Sequence, residues 1–197
     1  MTFARRHGDA GQAFPIYITV VGGLLFLAFA YFAVGQAAAT RSDAQTAADA
    51  SALAAALETR DQLADQWLLN ILEPDSWQDI FDGTTPVAST CWRAEELAAR
   101  NEASVECYPD GPLGYTVVAR TDESVGETIV PGTESQHATE SATAVIEARC
   151  SLELPGEDVD GEALPRLSCE GDEWNFNPDD LSDLPKPEDL FDVHLAD

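Results

Sequence analysis

From Ala10 to Thr40 no residue carries a charge, and the run FPIYITVVGGLLFLAFAYFAV from Phe14 to Val34 is almost wholly apolar. About 20 such residues suffice to cross the hydrocarbon core of a bilayer as a helix. The segment therefore reads as a transmembrane helix over residues 14–34, starting at Pro15, whose missing N–H costs nothing in a first turn. Arg5 and Arg6 precede the span and the next base is Arg41, so residues 1–13 are expected as a cytoplasmic stub and the remainder outside. A cleaved secretory signal with Ala37 and Ala39 at its cleavage site is the competing reading. Signal h-regions run about 7 to 15 residues, shorter than this one, which favours the anchor.

Charge divides the chain in the same place. Of 36 acidic and 10 basic residues, only Asp9, Arg5 and Arg6 lie before the span, leaving 35 acids against 8 bases from Arg41 onward, a net of −27. Such a region repels nucleic acid and anionic lipid, so no nucleic-acid partner is expected. Lysine and methionine occur once each, as Lys186 and Met1, amid abundant alanine and arginine, the composition of a GC-rich bacterial genome. The expected location is thus a bacterial cell membrane, single-pass, with the C-terminal part extracytoplasmic.

Cys91, Cys107, Cys150 and Cys169 all follow the span, with no CxxC pair and only three histidines in the chain. Zinc has little to bind, and an oxidising compartment makes disulfides the better reading. Three pairings are open, of which Cys91 with Cys107 and Cys150 with Cys169 close the shortest loops.

Between Gly35 and Leu72 there is no proline or further glycine, and alanine dominates, so the helix is expected to continue outside the membrane over residues 35–72, until Pro74 stops it. A helix from Pro15 to Leu72 is about 87 Å long at about 1.5 Å per residue. At helical spacing Ala50, Leu53, Leu57, Ala64, Trp67, Leu68 and Ile71 share one side and Glu58, Gln62, Asp65 and Gln66 the other. Asp49 falls on the alanine-lined side, where it either pairs with an arginine of a neighbouring helix or stays in water.

Residues 73–154 read as a small α+β domain. Cys91 to Asn101 forms a short helix with Thr90 as its cap. Val105 and Cys107, then Tyr115, Val117 and Ala119, then Ala142, Ala144, Ile146, Ala148, Cys150 and Leu152 alternate with polar residues as three strands of an antiparallel meander, whose inner face the amphipathic half of the long helix covers. From Pro155 to Asp197 there are 14 acids, 2 bases and 5 prolines, expected as an acidic, partly disordered tail.

Little here carries chemistry. Glu157, Asp158, Asp160 and Glu162 lack the full calcium-loop pattern, no GxSxG, HExxH or P-loop occurs, and His137 stands beside Ser135, Gln136 and Glu140 without a triad. No catalytic residue, metal or cofactor is assigned.

Arg41 followed by AQTAADASALAAA (Ala44 to Ala56), behind a basic stub and one apolar helix, resembles the N-terminal segment of Tad-type pilus-assembly proteins, the TadE and TadG group of tight-adherence (Flp) pili. Arg41, Gln45, Ala47, Ala48, Asp49, Ala50, Ala52, Leu53 and Ala54 carry the match, which ends near residue 58. The resemblance implies a non-enzymatic, membrane-anchored pilus-assembly or pilin-like component whose partners are the lipid bilayer and other pilus-assembly or pilin-like membrane subunits. The helix-packing surface expected on this reading comprises Arg41, Gln45, Ala47, Asp49, Ala50, Leu53, Ala54 and Leu57. Processed members carry glutamate five residues after a glycine, whereas Ala13 follows Gly8 and Ile16 follows Gly11 at that spacing, which favours an uncleaved, TadG-like chain. The alternative class is a membrane-tethered surface protein that binds a partner through its acidic external domain.

Overall fold

The computed structural model describes residues 13–124, 135–153, 164–178, 181 and 183–196. One helix, α1 (Ala13–Leu69), runs for 57 residues, about 85 Å at about 1.5 Å per residue. It ends at Leu69, three residues before the expected Leu72. Asn70 N–H bonds the Gln66 and Trp67 carbonyls, Glu73 N–H bonds that of Asn70, and Pro74 opens a separate 3-10 turn, Pro74–Ser76. The indole N–H of Trp77 also donates to the Asn70 carbonyl at 3.0 Å, so α2 (Trp77–Phe81) folds back on the end of the helix. Next comes α3 (Cys91–Arg100).

Strands β1 (Ala103–Pro109), β2 (Gly114–Thr121) and β3 (Thr139–Ala148) form the expected antiparallel meander. Its first turn depends on two glycines. Gly111 has φ +74°, and a Cβ on Gly114 would lie 2.5 Å from the Asp110 carbonyl oxygen, so neither position accepts a side chain without strain.

The sheet acquires a fourth strand from a segment expected as tail. After β4 (Cys150–Glu153), β5 (Arg166–Cys169) and β6 (Asp172–Trp174) make a second, three-stranded sheet, while a short helix, α4 (Pro187–Leu190), leads into β7 (Phe191–Leu195), which pairs with β3. The acidic composition of residues 155–197 conceals apolar residues that do the packing: Leu167, Leu190 and Phe191 are buried, and Trp174, Phe176 and Val193 are among those packed against the main core. Residues 157–162, the considered calcium loop, lie outside the described residues.

The expected single strand from Ala142 to Leu152 is instead two strands in two sheets. Arg149 breaks it, giving its N–H to the Leu190 carbonyl and its guanidinium to Glu170 and the Glu188 carbonyl, after which Cys150 faces Cys169 in the second sheet.

The upper part of α1 crosses the inner face of the four-stranded sheet, where Tyr115, Val117, Ala119, Ala144, Ile146 and Phe191 are buried. The buried stripe is Ala44, Ala48, Ala52, Ala55, Thr59, Leu63 and Trp67, turned from the side expected. Ala64, Trp67 and Ile71 are buried as anticipated, but Leu57 and Leu68 are 37% and 48% exposed. Large side chains define an amphipathic stripe by hydropathy, whereas a helix laid closely on a sheet needs small ones at the contact. Bulk enters only near the end of α1, where Trp67, Trp77 and Phe176 meet with ring centroids 5.4 to 5.7 Å apart. Burying each large apolar residue there contributes about 1.5–3 kcal/mol.

Candidate assembly interface

Helix α1 has two environments. From Phe14 to Val34 most of its large side chains, including Phe14, Ile18, Phe26 and Tyr31, are more than half exposed; this helix is long and apolar enough to cross a membrane. From Ala44 on, the same helix is built into the domain core. No turn separates the two.

The residues expected on one packing surface are distributed over three sides of α1. Arg41 and Gln45 face β3: Arg41 Nε lies 2.5 Å from Glu140 Oε1, and Gln45 donates to Asp49 Oδ1 at 2.7 Å and reaches the Ser141 carbonyl at 3.5 Å. Asp49 therefore takes its partner from its own helix, one turn earlier. Ala47 and Ala54 are buried within the domain, Ala47 against Ala103 and Ala119. Ala50, Leu53 and Leu57 remain open to a groove of about 420 Å³ between α1 and α3, with Arg93 and Leu97 on its opposite wall.

Sequence reasoning missed the polar contact that sets α1 against the rest of the domain. Thr59 Oγ1 donates to Tyr115 Oη at 2.9 Å and lies 3.0 Å from Thr90 Oγ1, and all three residues are buried. Thr90 occupies the position before α3 but makes no side-chain cap bond; its hydroxyl meets that of Thr59 instead. A buried hydroxyl needs a partner, and this trio fixes where α1, α3 and β2 meet. The only sequence signal is a threonine inside an alanine-rich stripe.

Covalent bonds reinforce the same junctions. Cys91 is joined to Cys107, tying α3 to β1, and Cys150 to Cys169, tying β4 to β5, the local pairing favoured from spacing. On the outer surface of α3, Glu96 is held below the usual carboxylate range, first by its hydrogen bond from Arg93 and then by the charges of Arg93 and Arg100. Tyr108 is raised by its hydrogen bond to Glu106. Among the described residues His137 Nδ1 lies 2.7 Å from the Thr121 carbonyl oxygen and His194 Nδ1 3.0 Å from Asp192, and no group of three or more potential ligands is placed to hold a metal ion.

Neither the curated proteins nor the solved structures contain a match to this chain. A family model does match, over residues 11–58, with the description "Putative Flp pilus-assembly TadE/G-like". Its span covers the exposed apolar part of α1 and the alanine-rich turns that enter the domain, stopping one residue before Thr59. That match likens residues 11–58 to the TadE/G-like segment of Flp pilus-assembly proteins, and residues 13–58 of it lie on the single helix α1.

Proposed function

We propose that the protein is a membrane-anchored, non-enzymatic component of a Tad/Flp-type pilus system, with residues 1–13 in the cytoplasm and the domain outside, acting through helix packing rather than chemistry. The observation that supports this reading is that residues 13–58 of the family-matched segment lie on one unbroken helix. Among the described residues its first half is largely exposed and apolar, as suits a helix solvated by lipid. Its second half is the central support of a disulfide-bonded domain, as expected of a chain that presents a rigid body above the membrane. Commitment of the four cysteines to disulfides agrees with an oxidising compartment.

The test is genetic and biochemical. Deleting the gene in its host is expected to abolish or strongly reduce surface pili, with full-length protein restoring them, and a reporter fused after Asp197 is expected to be active only outside the cytoplasm. Normal piliation in the deletion strain would overturn the pilus role. Cytoplasmic reporter activity would overturn the orientation.

A further inference from the structure

The TadE/G-like segment divides into residues the domain uses and residues it leaves open. Ala44, Ala47, Ala48, Ala52, Ala55 and Ala56 are buried against the sheet and α3. Ala50 and Leu57 instead line the groove between α1 and α3, Leu57 being 37% exposed, while Leu53 both lines the groove and packs against the core. Leu97 continues the apolar lining from α3, and Glu58, Arg60, Asp61 and Arg93 line the rest of the cleft.

Charge at the lip is asymmetric. Arg60 is held by Asp61, with Nε and Nη2 2.9 and 2.7 Å from Oδ1, and Arg93 is held by Glu96. Both cations are spent within the chain. Glu58, half-buried on the same lip, has no ion-pair or hydrogen-bond partner among the described residues. A carboxylate without a partner in its own chain is stabilised by an approaching cation.

Position then restricts what can bring one. Ala50 stands about 24 Å beyond Val34 along a helix axis with about 1.5 Å rise per residue, with no break between them. Any helix that emerges from the bilayer beside residues 14–34 and continues upward passes the groove without turning. A second copy of this chain would bring another region of net −27 to the same place, which like-charge repulsion opposes.

We propose that the groove bounded by Ala50, Leu53 and Leu57 on α1 and by Leu97 on α3 receives a juxtamembrane α-helix of a different membrane-anchored subunit, one that presents small apolar residues to α1 and a lysine or arginine to Glu58. This rests on the pilus reading and adds the site and chemistry of the partner. The occupant helix packs along α1 as helices do on small-residue surfaces, and its base replaces water at Glu58.

The test is photocrosslinking in the host's own membrane, with the full-length chain carrying p-benzoylphenylalanine in place of Leu57 and, as a control, of Leu69, which is 77% exposed outside the groove. Mass mapping is expected to find adducts from position 57 on a helical, base-containing peptide directly following the membrane span of another protein, and none of these from position 69. In the Leu57 background, Glu58→Lys is expected to lower their yield by about fivefold or more, the effect of reversing one partly desolvated ion pair. Ala50→Phe, which fills the groove, is expected to abolish them. Thermal unfolding of the purified variants monitors folding, and Glu58→Arg repeats the reversal should Glu58→Lys unfold. Adducts with a second copy, adducts equal at 57 and 69, or indifference to both charge reversals overturn the proposal. If pili require the gene and position 57 yields no such adduct, the groove inference fails while the pilus role stands; pili that form without the gene overturn the pilus role itself.

Discussion

Replacing Thr59 with valine keeps the shape of the side chain and removes the hydroxyl at the centre of the buried trio. Two hydroxyls then lose their partner together: Thr90 makes no cap bond, and the hydrogen bond recorded for Tyr115 Oη is the one from Thr59. A buried polar group left unpaired costs about 1–3 kcal/mol, so Thr59→Val is expected to destabilise the domain by about 2–6 kcal/mol, a large share of the roughly 5–15 kcal/mol typical of a folded domain. Thr90→Val and Tyr115→Phe each leave Thr59 with one remaining partner, and about 1 kcal/mol is expected for either. The triple variant, with every hydroxyl replaced, is expected to be more stable than Thr59→Val alone, because no orphan remains. Urea unfolding of the full-length protein in detergent, followed through the fluorescence of Trp67 and Trp77, gives the shifts in midpoint at constant slope. A Thr59→Val midpoint no lower than that of Thr90→Val would refute the assignment of Thr59 as the shared partner.

Other expectations follow from the same structure. Replacing Cys91 and Cys107 together by serine opens a loop with a sequence separation of 16 and is expected to cost about 3 kcal/mol on the chain-entropy relation, read by urea midpoint, while non-reducing mass mapping recovers the native pairings. Truncation after Lys186 removes Leu190 and Phe191, each 1% exposed; losses of about 2–5 kcal/mol for each such side chain are expected to leave the domain protease-sensitive, and a resistant fragment would contradict the role of β7. Because the folded-state value for Glu96 is lowered, its stabilising contribution is present above the unfolded-state value and lost as pH falls through the folded one. A carboxylate carbon titration by NMR is expected to place Glu96 below ordinary glutamates, and Arg93→Gln to raise it.

The parts legible in the sequence were those written in local patterns. A charge-free apolar run, an alanine-rich stretch without breakers, two period-two strands and the turn at Pro109 to Pro112 translated directly into α1, β1 and β2, and the short cysteine spacings into the disulfides. What was hidden depends on distant partners. Strand β7 is only five residues inside an acidic, proline-rich stretch, and it becomes a strand because β3 offers an unpaired edge and the core accepts Phe191. Hydropathy pointed to the side of α1 bearing Leu57 and Leu68, but the sheet selected the alanines, since close approach depends on size as well as on polarity. That selection also explains why the eight residues expected at one interface face three directions: a pattern fixes angular positions on a helix, and the neighbours decide which of them are covered.

The unbroken course of α1 makes the protein a lever. At the junction Gly35 is itself helical, and from Gln36 to Leu69 there is neither proline nor glycine, so in the proposed membrane setting one continuous helix joins the domain to the lipid. About 52 Å of helix rises above Val34 at about 1.5 Å per residue, and a tilt of about 10° would carry the top of the domain sideways by about 9 Å. Membrane helices answer changes in bilayer thickness by tilting. Through this stiff connection a small adjustment in the lipid becomes a large lateral displacement of the two sheets, and a sideways pull at the domain returns to the bilayer as torque on the embedded turns.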